Sequence, residues 1–249
     1  MSNEMILPVG TSPVHVLRMA LSLPSERFHN VILLVTEKTA EYGIRIHEVL
    51  CSERHQSEVI HSDSLGACLK QKDGVSDFSI IMGPGRKQDA LHIWKSVVSG
   101  AKKIPQIWIH HNVITKKGKT RDREYIKALP NDFLGTKKEL FLLPDVTAEA
   151  ACLIYDFDQS ELESDDELQW DSRKCKFVLT FSPPSGSQTI QHKKGVQDWQ
   201  KLVLNKAQRI RKVFGMHAVE VWHTPLPSKG WWLTARERLA DAGFRGANK

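Results

Sequence analysis

The sequence predicts an α/β protein: a domain with a mostly parallel sheet between helices, followed by a small α+β domain. Three observations predict this. Short apolar segments alternate with amphipathic helical segments over about the first 155 residues, the pattern of an open parallel sheet. Residues 30–35 are apolar almost throughout, as expected for a strand buried on both faces. Lys and Arg number 20 against 25 Asp and Glu in residues 1–172, but 15 against 4 in residues 173–249.

The strands and helices of the first half follow from the apolar periodicity. Strands are expected at residues 5–9, 30–35, 58–61, 78–82, 106–110 and 139–143, and helices at 14–23, 40–49, 65–70, 90–98 and 147–157. In such sheets ligands bind beyond the carboxyl ends of strands, near the point where the strand order reverses. The strands at 5–9 and 78–82 both lead into glycine turns, so one anionic ligand can contact both.

The second half has a different pattern. Strands are expected at 175–181 and 217–223, a hairpin return at 188–191, and helices at 196–214 and 231–242. The acidic segment 158–172 is interpreted as a linker between a domain at 1–157 and a basic domain at 173–249. The alternative is an acidic surface loop within one domain.

Composition limits the class of protein. The chain has 249 residues, 41% of them hydrophobic, and a net charge of +6 with a pI near 9.1, which favours an anionic partner. Its four cysteines are widely separated and form no CxxC pair, which disfavours a zinc site or a disulfide framework. Neither a signal peptide nor an apolar run of about 20 residues is found, so we expect a soluble, cytoplasmic protein without a membrane partner.

Two glycine turns precede helices. Gly83-Pro84-Gly85-Arg86-Lys87-Gln88 leads into the helix at 90–98, and Gly10-Thr11-Ser12-Pro13 into the helix at 14–23. Helix N-termini offer unpaired N–H groups to an anion, glycine permits close approach, and the two cations add charge. The first of these turns has neither GxGxxG nor P-loop spacing. A helix-capping turn with two solvated cations is the alternative.

The stretch Val9-Gly10-Thr11-Ser12-Pro13-Val14 before a helix resembles the first motif of CARF domains, the CRISPR-associated Rossmann folds. Residues 83–88 occupy the place of the second CARF motif, a glycine turn that ends in Lys, although they depart from the commoner Thr-Gly-Gly-Thr-Lys form. The resemblance covers residues 1 to about 156. It implies a Rossmann-like domain that senses cyclic oligoadenylate, the second messenger of type III CRISPR antiviral defence.

The resemblance also implies a homodimer with the ring across its two-fold axis, and no cofactor. Cyclic tetra-adenylate is the activator we expect. By position the ligand contacts are Gly10, Thr11, Ser12, Pro13, Gly85, Arg86, Lys87 and Gln88. An ordinary Rossmann-like nucleotide enzyme is the main alternative. The basic stretch 112–130 follows the strand at 106–110 and is interpreted as a lid over the phosphates or part of the dimer surface; a solvated basic loop is the alternative.

The basic domain is expected to act on RNA. Its cations can hold phosphates while Trp222, Trp231 and Trp232 stack on bases; the alternative is that these tryptophans belong to the core. No paired carboxylates with metal-ligand spacing are present, so metal-free cleavage by the neighbouring 2′-hydroxyl is favoured. The candidate catalytic residues are His217, His223, Lys229, Arg236 and Arg238.

Size and basicity match CARF proteins that carry a small RelE-like ribonuclease domain. Arg211 and His217 have the loose spacing of the HEPN ribonuclease pair, but His217 begins a predicted strand, so that reading is set aside. Two further functions stay open. A ring nuclease would use Ser12 to position a 2′-hydroxyl and Lys87 or Arg86 to stabilise the cleaved phosphate, and a transcriptional regulator would bind DNA through the basic domain.

Overall fold

The computed structural model describes residues 2–53, 55–72, 76–82, 106–113, 123–128, 140–184, 193–228 and 230–246. The chain divides into two compact units, Met1–Val146 and Thr147–Lys249. The helix predicted at 90–98 and the hairpin return predicted at 188–191 lie outside the described residues. None of the described helices has the length and apolar character needed to cross a bilayer.

The first unit is built on a seven-stranded sheet. Its elements are β1 (Ser2–Pro8), α1 (Pro13–Leu21), β2 (Asn30–Val35), α2 (Ala40–Ser52), β3 (Ser57–His61), a 3-10 turn (Ser62–Ser64), α3 (Leu65–Lys72), β4 (Ser76–Met82), β5 (Gln106–Val113), β6 (Arg123–Ala128) and β7 (Leu140–Leu142). The strand order is β3-β2-β1-β4-β5-β6-β7, and β1 to β5 are parallel. The predicted parallel α/β sheet is therefore confirmed.

Strand β1 lies inside the sheet, between β2 and β4, and both of its faces are apolar. Met5, Ile6 and Leu7 are consecutive and each is fully buried. Since successive side chains of a strand point to opposite faces, three buried neighbours require cover on both sides of the sheet. In β2, Ile32 and Leu33 are likewise fully buried. Continuous apolar runs thus place both strands in the interior of the sheet.

The sheet changes direction after β5. Strand β6 pairs antiparallel with β5, and β7 pairs antiparallel with β6. The sequence pattern predicts no strand within 112–130, whereas β5 extends to Val113 and residues 123–128 form β6. Charged residues dominate that segment, so its sequence shows neither alternation nor an apolar run. The backbone hydrogen bonds to β5 hold β6 in its strand conformation.

The second unit contains a four-stranded sheet. Its elements are α4 (Ala148–Tyr155), α5 (Gln159–Ser164), β8 (Leu168–Asp171), β9 (Lys176–Phe181), α6 (Lys193–Phe214), β10 (Val219–His223), α7 (Trp231–Asp241) and β11 (Arg245–Gly246). The order is β11-β10-β9-β8, with β8 antiparallel to β9 and the others parallel. An α+β unit in this part of the chain agrees with the sequence pattern.

The division between the units lies earlier than the composition suggested. The boundary follows Val146 instead of residue 157, and the acidic segment 158–172 forms α5 and β8. The reason is aromatic packing. Tyr155 lies edge-on to Phe177 and Phe214, with ring centroids 5.8 and 5.4 Å apart, and Phe157 lies 4.8 Å from Phe214. Residues on either side of the acidic run therefore share one core.

Candidate functional site

The strand order of the first sheet reverses between β1 and β4. The chain runs from β1 to β2 and β3 on one side, then crosses to β4 on the other side of β1. Strands β1 and β4 are parallel, hydrogen-bonded neighbours in the register Met5 to Ser79 and Ile6 to Ile80. Between two such strands the carboxyl edge of a sheet opens into a crevice, the usual ligand position in this architecture.

The two strands end at the same level. Pro8, the last residue of β1, and Met82, the last residue of β4, each lie two positions beyond the Ile6–Ile80 pair. Adjacent strands are about 4.8 Å apart, so the ends of β1 and β4 lie side by side. The second turn contains the predicted ligand residues Gly85, Arg86, Lys87 and Gln88, which lie outside the described residues.

The first turn leads directly into helix α1. Ser12 is the residue before the helix and Pro13 is its first residue, the position that proline prefers because the missing N–H has no partner there. Pro13 is buried, Thr11 is exposed, and Ser12 is half-buried. The turn therefore anchors the helix through Pro13 and leaves Thr11 and Ser12 accessible.

Two details of this turn favour access to a ligand. Among the described residues, the Ser12 hydroxyl accepts no hydrogen bond from the first turn of α1. A Cβ atom added at Gly10 would meet no described atom within 4 Å. The hydroxyl is thus not used as a helix cap, and the described residues leave space beside the Gly10 backbone. Both groups lie at the positive end of the α1 dipole, where an anion is stabilised.

Arg18 of α1 was not singled out in the sequence. It is 4% exposed, and its Nε donates to the backbone oxygen of Pro144 at 2.8 Å. The contact fixes α1 against the segment that follows β7. A signal existed, because Arg18 lies one helical turn after the buried Val14 and hence on the apolar side of the helix.

The amino-terminal edge of the same sheet has a different chemistry. Lys72 bridges the carboxylates of Glu4 and Glu58, and Asn30 donates to Glu58 at 2.8 Å. Burial would lower the pKa of Lys72, but the hydrogen bonds to both carboxylates outweigh it and the pKa is raised. The cleft beside this cluster measures about 700 Å³. Its charges are mutually paired, so we assign them to the stability of the sheet.

The structure separates the predicted catalytic histidines. His217 is exposed before β10, and His223 is the last residue of that strand. Strand β10 has five residues, which puts its ends roughly 13 Å apart. His223 is 4% exposed, and its Nδ1 lies 2.9 Å from the Thr224 oxygen. In this conformation the buried ring of His223 cannot reach an RNA strand.

The predicted cations of helix α7 are not brought together either. Arg236 and Arg238 are both exposed, and residues two apart on a helix point about 200° from each other. One phosphate therefore cannot contact both side chains directly. Lys229 lies outside the described residues. Of the five predicted catalytic residues, His217 and the two arginines are the ones that the structure shows on the surface.

Sequence reasoning missed one polar cluster of the second unit. The Glu220 carboxylate, 10% exposed, lies 3.2 Å from Lys176, 3.5 Å from Lys174 and 3.7 Å from Arg245. Burial of Glu220 would raise its pKa, but the hydrogen bond from Lys176 and the charge of Lys174 outweigh it, and the pKa is lowered. Alternation in β10 could have revealed that Glu220 and Trp222 share a face. Within the described ranges no three His, Cys, Asp or Glu side chains are placed to hold a metal ion.

Comparison with known proteins gives similarity in fold. No protein-family model matches the sequence, and no curated protein matches it. Among solved structures, a type III CRISPR defence DNA nuclease activated by cyclic oligoadenylate is similar, with a TM-score of 0.56 and 10% identity. The match covers 99% of this chain and 42% of that protein, so this chain spans less than half of its length.

Two further structures are similar. Protein VC1899 from Vibrio cholerae matches with a TM-score of 0.55 and 8% identity, over 98% of this chain and 94% of that one. Can2 from Sulfobacillus thermosulfidooxidans, solved in complex with cyclic tetra-adenylate, matches with a TM-score of 0.46 and 10% identity, over 98% and 95%. This chain shares the fold of the first two proteins. The Rossmann-like fold that the CARF resemblance implied is thereby confirmed.

Proposed function

We propose that this protein is a CARF-type sensor of cyclic oligoadenylate in type III CRISPR antiviral defence. The observation that carries the proposal is the adjacency of β1 and β4, the two strands that lead into the glycine turns, at the reversal point of the sheet. The fold supports it, because a similar structure belongs to a nuclease activated by cyclic oligoadenylate.

Ligand binding in this proposal uses the α1 turn. A phosphate of the ring lies at the N-terminus of α1, close to the Gly10 backbone, and the Ser12 hydroxyl donates to it. Arg86 and Lys87 of the second turn supply positive charge from the neighbouring strand. A two-fold symmetric ring fits a homodimer in which each copy contributes the same pair of turns. Cyclic tetra-adenylate is the ligand we expect.

The second unit acts on RNA in this proposal, as a metal-independent and RelE-like ribonuclease. Its support is the excess of 15 cations over 4 carboxylates in residues 173–249 and the exposure of His217, Arg236 and Arg238. His217 serves as the acid or base, since its ring is the accessible one of the two histidines. Each arginine, with Lys229, neutralises a separate phosphate. Messenger binding must favour one arrangement of the dimer to change this activity.

The first test measures binding of labelled cyclic tri-, tetra- and hexa-adenylate to the purified full chain. We expect cyclic tetra-adenylate to bind, and Gly10→Ala to weaken it about tenfold, a loss of about 1.4 kcal/mol, because the added methyl group occupies the space of the ligand. Gly66→Ala is the matched control, since a Cβ atom there also meets nothing within 4 Å but the residue lies in α3. Failure of every ring to bind contradicts the proposal.

The same incubation separates activator from substrate. An effector returns the ring intact and degrades a labelled RNA faster in its presence. A ring nuclease instead converts the ring to linear product, and Ser12→Ala then slows that conversion. The Ser12 hydroxyl, which makes no capping hydrogen bond to α1, is the observation that keeps this second function open. Intact ring together with unchanged RNA would leave only a binding regulator, for which a salt-dependent shift of duplex DNA is the check.

A further inference from the structure

The two faces of the second sheet differ. On β9, Phe177, Leu179 and Phe181 are buried, whereas the alternate residues are partly exposed; β10 repeats the pattern with Val219 and Val221. The partly exposed side, called here the open face, is formed by Gln169, Lys176, Val178, Thr180, Glu220 and Trp222. It carries a groove of about 520 Å³. A face of this kind is available to a ligand.

An aromatic ring with two cations over it dominates the open face. Lys174 Nζ lies 5.9 Å and Arg245 Cζ 5.7 Å from the centre of the Trp222 ring. Trp222 Nε1 donates to Glu220 Oε2 at 3.4 Å, which fixes the plane of the indole. Thr180 is the direct cross-strand neighbour of Trp222. The ring is therefore held in place with a hydroxyl beside it.

The charge of the open face and its rim is positive. Arg173, Lys174, Lys176 and Arg245 stand against Asp171 and Glu220, four cations to two carboxylates. Lys174 and Arg245 can extend toward a ligand, because their side chains are 52% and 62% exposed. Glu220 is 10% exposed and pairs with Lys174, Lys176 and Arg245, and Asp171 pairs with Lys174, so the two carboxylates leave a net positive charge on this surface.

We propose that the open face binds single-stranded RNA, with one base stacked on Trp222. The base takes the place of the exposed Lys174 and Arg245 side chains over the ring, and these cations then contact the phosphates on either side of that base. Thr180 and Gln169 hydrogen-bond to its edge or to the ribose 2′-hydroxyl. Stacking on a flat sheet selects unpaired bases, because bases within a duplex cannot reach the ring. The inference rests on the proposed action on RNA and assigns the surface that grips the substrate, separate from His217.

The test measures fluorescence anisotropy of a labelled, unstructured RNA 12-mer with the full chain, without messenger. We expect Trp222→Ala to weaken binding about tenfold, within the range known for base stacking on an aromatic side chain, and Trp222→Phe to retain most of the affinity. Arg245→Gln should reduce the slope of log K against log salt by about 0.7, the value for one phosphate contact on a single strand.

Trp231→Ala is the matched control. Trp231 is 46% exposed and also carries a cation, with Lys193 Nζ 4.7 Å from its ring centre, but it lies on helix α7 away from the sheet. Base stacking is confined to Trp222 in this inference, and the base contact that the sequence suggested for Trp231 is withdrawn, so Trp231→Ala should leave RNA affinity unchanged. Equal losses in Trp222→Ala and Trp231→Ala, or tighter binding of a duplex or of the matching DNA strand, would overturn the inference.

Messenger binding is measured on the same samples. Trp222-dependent RNA binding without binding of any cyclic oligoadenylate upholds the open face and contradicts the sensor. Messenger binding without RNA binding does the reverse. Thermal unfolding of each variant shows that the fold is retained, which we expect because Trp222 lies on the partly exposed side of the sheet.

Discussion

The two sheets of this protein bury different numbers of faces. In the first unit, three consecutive residues of β1 are fully buried, so both faces are covered and the edges remain for ligands. In the second unit, burial alternates along β9 and β10, so one face is partly exposed. A sheet covered twice must bind at strand ends, whereas a sheet covered once can bind on its surface. The two proposed sites follow this difference.

The sharpest test of the comparison removes one buried and one open-face side chain. Ile32→Ala in β2 should lower the free energy of unfolding by roughly 2–5 kcal/mol, because Ile32 is fully buried among Ile6, Leu34 and Ile80. Val178→Ala on the open face should cost less than about 1 kcal/mol. Urea unfolding, followed by hydrogen exchange of peptides from each unit, measures both. Equal losses would show that the second sheet is covered on both faces.

A smaller effect distinguishes the helix starts of the two units. Thr147 caps α4, its hydroxyl accepting from the Ala150 N–H at 3.2 Å, so Thr147→Ala should cost about 1 kcal/mol. Ser12 makes no such bond to α1, and Ser12→Ala should leave thermal stability within about 0.5 kcal/mol of the wild type. Comparable losses would mean that Ser12 is a structural cap, which removes it from the proposed ligand contacts.

The smallest effect is a pH dependence of the open face. The pKa of Glu220 is lowered from its ordinary value of 4.5, so ionised Glu220 stabilises the folded unit above pH 4.5. This contribution is lost as the pH falls through the folded pKa. The difference in unfolding free energy between wild type and Glu220→Gln should therefore be constant near pH 7 and shrink below pH 4.5. A difference that grows on acidification would contradict the assignment.

Apolar periodicity was enough to predict most of the strands and helices from the sequence. The continuous run at residues 30–35 and the stripe of the long helix α6 identified their elements, since burial demands just those patterns. Strand β6 was not predicted, because it is stabilised by pairing with β5 and its own residues show no strand pattern. The boundary between the units after Val146 was not predicted. It depends on the packing of Tyr155 and Phe157 against Phe214, a contact that the sequence does not reveal.

For the ligand site, topology alone predicts which strand ends lie together, whereas the residue contacts to a ligand stay a prediction. Two strand ends were expected to meet, and the register of β1 with β4 places them level. The catalytic set in the second unit was chosen by residue type, and residue type carries no information on distance, so His217 and His223 fall at opposite ends of β10. Glu220 and Trp222 needed only the alternation of β10 to be recognised as neighbours on one face.

The pairing of β1 with β4 also determines when the crevice between them can form. Ser79 Oγ donates to Asn3 Oδ1 at 3.3 Å across 76 positions of sequence, so the middle of the sheet closes through a long-range contact. Such contacts form slowly because a large loop must be ordered first. A ribosome-bound chain cannot assemble the crevice until β4 has left the exit tunnel. The crevice between β1 and β4 therefore forms only after both strands are available to pair.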